Sequence, residues 1–162
     1  MKNLWGDIND AEKISAPKEI LKKQAEYLEH MTRGKVEARV KNADYVHLVT
    51  SSDTRELVEF DFIYDFYIIS KNVPNYTFSM MKVAHNIDFY PIIIRMEPSI
   101  YSDVEKRLKD LRIKVEGSNN IDVIVIDEDQ FMDALSLILS STKVKKVINR
   151  LLSFPNEDDI PF

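Results

Sequence analysis

The chain has 162 residues, of which 44% are hydrophobic and 10% aromatic, so we expect one domain of ordinary size with a substantial core. Its net charge of −5 argues against a strongly basic nucleic-acid binder, and the absence of cysteine excludes disulfides, thiolate metal sites and cysteine nucleophiles. No apolar run approaches the ~20 residues of a membrane span, and the first ten residues do not resemble a signal peptide. We therefore expect a cytoplasmic protein with no membrane association.

The N-terminal region is predicted to be an arm followed by an amphipathic helix. Leu4 and Trp5 are the expected anchors of the arm, which covers residues 2–16. Ser15 is a plausible N-cap, and Pro17 fits the first helical turn. Apolar residues then recur at helical spacing, at Ile20, Leu21, Ala25, Leu28 and Met31, before Gly34 ends the segment.

The central region is predicted to be an antiparallel meander, because the apolar period changes to two at Val36. A long strand over 57–70 places alternate aromatic and aliphatic residues on one face, and Pro74 lies in the turn that follows it. The predicted strands cover 36–41, 45–50, 57–70, 76–83 and 91–96.

The last third is predicted to contain helices and one further strand. Ser102 with Glu105, and Asp127 with Gln130, have the spacing of a capping box before an apolar helical pattern. A strand is expected over 121–126, and a final helix over 142–154. We therefore expect an α+β fold, an antiparallel β-meander packed with an N-terminal helix and C-terminal helices. A single domain with its arm would cover 1–154, followed by an acidic tail over 155–162.

Catalytic chemistry has little support in the sequence. His30, His47 and His85 lie in different predicted elements without metal-ligand spacing, and no glycine-rich phosphate-binding loop is present. We therefore predict no catalytic residues, no cofactor and no metal, and that the protein is not an enzyme.

An acidic row on the long central strand is the one candidate for metal binding. Glu59, Asp61 and Asp65 alternate along it and could converge on a divalent cation as nuclease carboxylates do. The alternative, which we favour, is a solvated face of a half-buried sheet.

Two groups of residues are candidates for contact with nucleic acid. Tyr67 and Tyr76 are the aromatic residues of the meander that we expect to be most exposed and able to stack on unpaired bases. Lys143, Lys146 and Arg150 lie on one face of the last predicted helix, with Lys145 nearby, and could contact phosphates. The alternatives are core packing for the tyrosines and an ordinary solvated helix face for the cations.

The tail carries the most specific pattern in the chain. It reads Asp158, Asp159, Ile160, Pro161, Phe162. A partner would need an apolar pocket for Phe162 with a basic side chain at its mouth, and Pro161 would lower the cost of ordering an extended peptide. The two aspartates would steer the tail towards a positive surface and make binding sensitive to salt.

This ending resembles the C-terminal tip of bacterial single-stranded DNA-binding proteins, in which several acids precede Ile or Leu and then Pro-Phe. The resemblance covers residues 157–162 only, and it implies docking on replication, recombination or repair enzymes. The rest of the chain differs from that family, because it begins with a polar segment and a predicted helix instead of a strand, and because it has no long linker before the tip.

Three functions remain open at this point. The first is an accessory protein of bacterial or mobile-element DNA metabolism that docks through its tail. The second is a divergent single-stranded DNA-binding protein, and the third is a small interaction or immunity-type module in which the tail has no role.

Overall fold

The structure of the protein is a computed structural model that describes residues 1–8, 14–43 and 60–156. The helices are Pro17–Met31 (α1), Pro98–Asp110 (α2), Glu128–Leu139 (α3) and Thr142–Ser153 (α4). The strands are Val36–Asn42 (β1), Phe62–Ser70 (β2), Thr77–His85 (β3), Ile92–Met96 (β4), Lys114–Glu116 (β5) and Asp122–Val125 (β6). These elements form the predicted α+β fold.

The strands form one six-stranded sheet in the order β1-β2-β3-β4-β6-β5. Every neighbouring pair is antiparallel. The first four strands are the expected meander. The chain then crosses through α2 and returns as the hairpin β5-β6, whose second strand pairs with β4 and extends the sheet.

The main core lies between the helices and one face of the sheet. Alternation along β2 directs Phe66 and Ile68 into this core, where they are 1% and 0% exposed. The register of β2 against β3 shifts after Phe66, so Met80 is the extra residue of a β-bulge, and both Met80 and Met81 are buried. The core includes buried residues from all four helices.

Among the described residues, the opposite face of the sheet is more polar and carries a small apolar cluster. Ile63 and Ala84 are its buried members, and Ala43, Phe60 and Ile93 pack against them. This mixed face agrees with the alternation of acidic and apolar residues predicted for β2.

The helix caps confirm some of the expectations and correct others. The cap at Asp127 is confirmed, since its carboxylate accepts from the backbone N–H of Gln130 at 2.8 Å. Ser15 is not a cap, because Ala16 holds that position and no side chain caps α1. The capping box at Ser102 is also wrong, because α2 begins earlier, at Pro98, where the Glu97 carboxylate accepts from two backbone N–H groups of the first turn.

The prediction that Leu4 and Trp5 fix the arm to the body is wrong. Both side chains are 86% exposed. Ile20 and Leu21 of α1 contribute to the core instead.

The edges of the meander differ from the predicted ones. β2 begins at Phe62, and the predicted residues 57–59 of this strand, like the strand over 45–50, lie outside the described residues. β5 was not predicted. Within the described ranges, no helix is long and apolar enough to cross a membrane.

Candidate functional site

Helix α4 presents a basic surface next to the C-terminal end of the described chain. Ser141 caps its N-terminus, with its hydroxyl accepting from the N–H of Val144 at 3.3 Å. Because Val144, Val147 and Leu151 face the core, the period of the helix turns its charged residues outward.

The outward side chains of α4 form a basic cluster. Lys145, Lys146 and Arg150 line a shallow depression together with Thr142, Asn149 and Ser153. All three cations are exposed. No ion pair joins them to a residue in the ranges 1–8, 14–43 and 60–156.

Lys143 departs from this cluster, although its spacing placed it on the same face as Lys146 and Arg150. Its ammonium lies 5.8 Å from the centre of the Phe78 ring, on the side of the sheet that carries the helices. The structure thus groups Lys146 and Arg150 with Lys145, whereas Lys143 is half-buried against β3.

An apolar groove of about 690 Å³ runs beside the basic cluster. Helix α1 forms one wall, α3 and α4 form the other, and the floor is the sheet. Its apolar lining comes from Tyr27, Leu28, Met31, Ala38, Phe66, Ile68, Met80, Met132, Leu135, Leu139, Val144, Ile148 and Leu152. A volume of this size is within the range of small-molecule binding sites.

The rim of the groove combines exposed apolar groups with a cation. Met31 is 79% exposed, Tyr27 53% and Met132 41%. Lys145 and Asn149 line both the groove and the basic depression, so the two surfaces are continuous. This arrangement offers an apolar peptide a docking surface with positive charge at its edge.

The tyrosines proposed as a stacking platform lie apart from these cations. Tyr67 projects from the face of the sheet opposite the helices, where the ammonium of Lys41 lies 4.9 Å from its ring centre. Tyr76 is half-buried and packs against the main core. Neither ring is fully exposed, and the sheet separates Tyr67 from the basic cluster.

The acidic row of the central strand shows no metal-binding geometry in the described residues. Glu59 lies outside them, and Asp61 is exposed just before β2. Asp65 accepts a 2.6 Å hydrogen bond from the hydroxyl of Ser79. No group of three or more His, Cys, Asp or Glu side chains in the described ranges could hold a metal ion.

The two histidines that the structure describes occupy separate environments. His30 is exposed on α1, whereas His85 is 2% exposed and surrounded by aromatic rings. Phe62 stacks on the imidazole with 5.1 Å between ring centres, and Phe89 meets it edge-on at 5.8 Å. His85 therefore has a packing role at this end of β3, and His47 lies outside the described residues.

The docking residues Asp158, Asp159, Ile160, Pro161 and Phe162 lie outside the described residues, so only the point from which the tail departs is known. Helix α4 ends at Ser153, and the side-chain amide of Asn72 donates to the carbonyl of Phe154 at 3.3 Å. This hydrogen bond connects the start of the tail to the turn between β2 and β3.

The apolar groove was not predicted from the sequence. Its walls come from α1, α3 and α4, which are distant along the chain. The sequence offered one sign of the groove: Met31 and Met132 are apolar residues beside the helix positions that face the core.

Comparison with known proteins identifies no relative. No protein-family model, no curated protein and no solved structure matches the chain.

Proposed function

We propose that the protein is an accessory factor of bacterial or mobile-element DNA metabolism that docks on replication, recombination or repair enzymes through its tail. The observation that carries the proposal is the pattern Asp158, Asp159, Ile160, Pro161, Phe162. Acidic residues followed by Ile-Pro-Phe match the ending of bacterial single-stranded DNA-binding proteins. The folded body is then what the tail brings to the enzyme.

The length of the connection between tail and body limits how the protein would act. α4 ends at Ser153, and the carbonyl of Phe154 accepts the hydrogen bond from Asn72. Few residues then separate the body from Asp158, so a bound tail would hold the basic cluster of α4 close to the enzyme. The body would consequently act at the surface to which the tail binds, without reaching distant sites.

The first experiment is capture of bacterial proteins on the immobilised full chain, compared with a variant that lacks Ile160 to Phe162. We expect replication or repair enzymes to be retained by the full chain alone. A synthetic peptide with the sequence of residues 157–162 should release them, because it competes for the same pocket. Equal capture by both proteins would contradict the proposal.

A second experiment tests the requirement for the terminal carboxylate. The proposal takes Phe162 as the carboxyl-terminal residue, which the intact mass of the isolated protein checks directly. Adding one glycine after Phe162 moves the carboxylate away from the ring, and capture should fall if both are recognised together. Adding a glycine at the N-terminus is the matched control and should leave capture unchanged.

A second candidate function is binding of single-stranded DNA by the body, favoured by the three exposed cations of the basic cluster. Three phosphate contacts predict a slope of about −2 for log affinity against log salt concentration. Converting Lys146 and Arg150 to alanine should abolish such binding, whereas Phe162→Ala should not. If the affinity for DNA is unchanged when Lys146 and Arg150 are replaced by alanine, the basic cluster is not the DNA-binding surface.

A further inference from the structure

The apolar groove and the basic cluster form one continuous surface beside the start of the tail. Lys145 and Asn149 border both, and Ile148 and Leu152 on α4 line the groove as the helix approaches its end at Ser153. A segment leaving α4 therefore starts next to apolar surface and positive charge together.

The residues of the tail match this surface in chemistry. Glu157, Asp158 and Asp159 supply three negative charges, and the basic cluster supplies three positive ones. Ile160 and Phe162 are apolar and follow the acids in the chain, and the apolar groove likewise lies next to the cations. The body therefore has the features that a partner of the tail would need, an apolar pocket with basic side chains at its mouth.

The tail is long enough to reach the groove. The groove follows α4 from Val144 to Leu152, which is about 12 Å at 1.5 Å per residue. The six residues after Asn156 extend up to ~20 Å. A turn back along α4 therefore brings Phe162 within reach of the groove.

We propose that residues 157–162 bind in the apolar groove of their own chain. The acids contact Lys145, Lys146 and Arg150, and Ile160 and Phe162 occupy the space between α1 and α4. Because the tether is short, the effective concentration of the tail at the groove is in the millimolar range. Even a weak contact is then populated.

In this arrangement the groove competes with any partner protein for the tail. A partner must displace the tail from the groove, and an anionic ligand of the basic cluster would release it. The inference does not rest on the proposed function, since the groove binds the tail whether or not an enzyme does.

The test uses the methyl resonances of isotope-labelled methionines in the full chain. Met31, Met80 and Met132 line the groove, whereas Met96 is buried in the core away from it. Spectra of the natural chain are compared with those of the full-length double variant Ile160→Ser, Phe162→Ser. We expect the resonances of Met31 and Met132 to move and that of Met96 to stay. Identical spectra would overturn the proposal.

Dilution separates binding within one chain from binding between two copies. If the tail binds its own groove, the difference between the two spectra is independent of protein concentration. A difference that disappears on dilution would assign the groove to the tail of a second copy and overturn the intramolecular contact.

Charge reversal supplies a variant outside the tail. Lys145→Glu should move the resonances of Met31 and Met132 towards their positions in the double variant, because the acids lose a partner at the rim. Lys106→Glu, on the exposed surface of α2, is the matched control and should have no such effect. Equal responses to the two reversals would contradict the assignment of the acids to the basic cluster.

The failure of this contact is distinguishable from failure of the proposed function. Unchanged methionine spectra together with loss of enzyme capture by Phe162→Ala would overturn the groove contact and leave the docking function standing. Changed spectra without any enzyme capture would support the contact and contradict the function.

Discussion

The ion pair between Arg95 and Asp122 is predicted to stabilise the junction between the meander and the C-terminal hairpin. Arg95 lies on β4 and Asp122 on β6, and the two side chains are only 10% and 20% exposed. Two hydrogen bonds join them, from Nε to Oδ1 at 2.8 Å and from Nη2 to Oδ2 at 3.1 Å. Asp122→Ala removes these two acceptor oxygens at once, and Arg95 keeps a further interaction.

The expected loss follows from the burial of the pair. Removing one partner of a fully buried ion pair costs about 3–5 kcal/mol, and exposed pairs contribute about 0.2–1 kcal/mol. Since Asp122 keeps some access to solvent and Arg95 keeps a further interaction, we expect Asp122→Ala to lower the free energy of unfolding by about 2 kcal/mol. Urea titration near neutral pH, followed by far-ultraviolet circular dichroism, measures this change.

The control is an exposed ion pair on the same hairpin with the same N···O distance. Lys114 and Glu116 lie 2.8 Å apart, but their side chains are 64% and 55% exposed. Glu116→Ala should therefore cost less than about 1 kcal/mol. If the two variants lost the same free energy, burial would not be what strengthens the pair, and the reasoning would be refuted.

Two further predictions concern a helix cap and a buried hydroxyl. Asp127→Ala should cost about 1 kcal/mol of unfolding free energy, because the N–H of Gln130 loses its acceptor, whereas Ser102→Ala inside α2 should cost less than about 0.5 kcal/mol. Thermal denaturation of the two variants measures both losses. A larger loss for Ser102→Ala than for Asp127→Ala would contradict the assigned helix starts. Burial and the charges of Asp127 and Glu128 raise the pKa of Tyr90 to about 12. Its neutral form is thus favoured by folding, and the resulting stability is complete below pH ~10 and declines as the pH rises towards ~12. Tyr90→Phe should make this decline shallower in urea titrations at alkaline pH, and Tyr64 and Tyr101, whose pKa values burial also raises, account for the part that remains. A decline as steep as that of the natural chain would contradict a contribution from Tyr90.

Much of the fold was predictable because its elements have clear apolar periods. The alternation after Val36 and in the 57–70 segment gave β1 and β2, and the helical spacing around Val144 and Leu151 gave α4. β5 was missed because three residues, Lys114 to Glu116, are too few to show a period.

The start of α2 shows why a local motif can mislead. Ser102 and Glu105 have the spacing of a capping box, but Glu97 and Pro98 are also a valid start five residues earlier. The structure uses the earlier one, which directs Ile100 into the core as well as Val104. Tertiary packing chose between two signals that were locally acceptable.

The candidate site was only partly predictable. Helical spacing alone places Lys146 and Arg150 on one face of α4. The groove depends on the separation of α1 from α3 and α4 across the sheet, which no local pattern specifies. The position of Tyr76 likewise depends on tertiary packing, since its ring turns towards the core.

The most direct measurement of the central claim is the affinity of the full chain for an enzyme that its tail captures, compared between Phe162→Ala and Phe154→Ala. Phe154 is 49% exposed at the end of the body and is a matched loss of an aromatic ring. We predict that Phe162→Ala weakens binding by about 2 kcal/mol or more, about 30-fold, because Phe162 is the anchor of the tail. Phe154→Ala should change the affinity less than about threefold. Equal affinities for the natural chain and the Phe162→Ala variant would contradict docking through the tail.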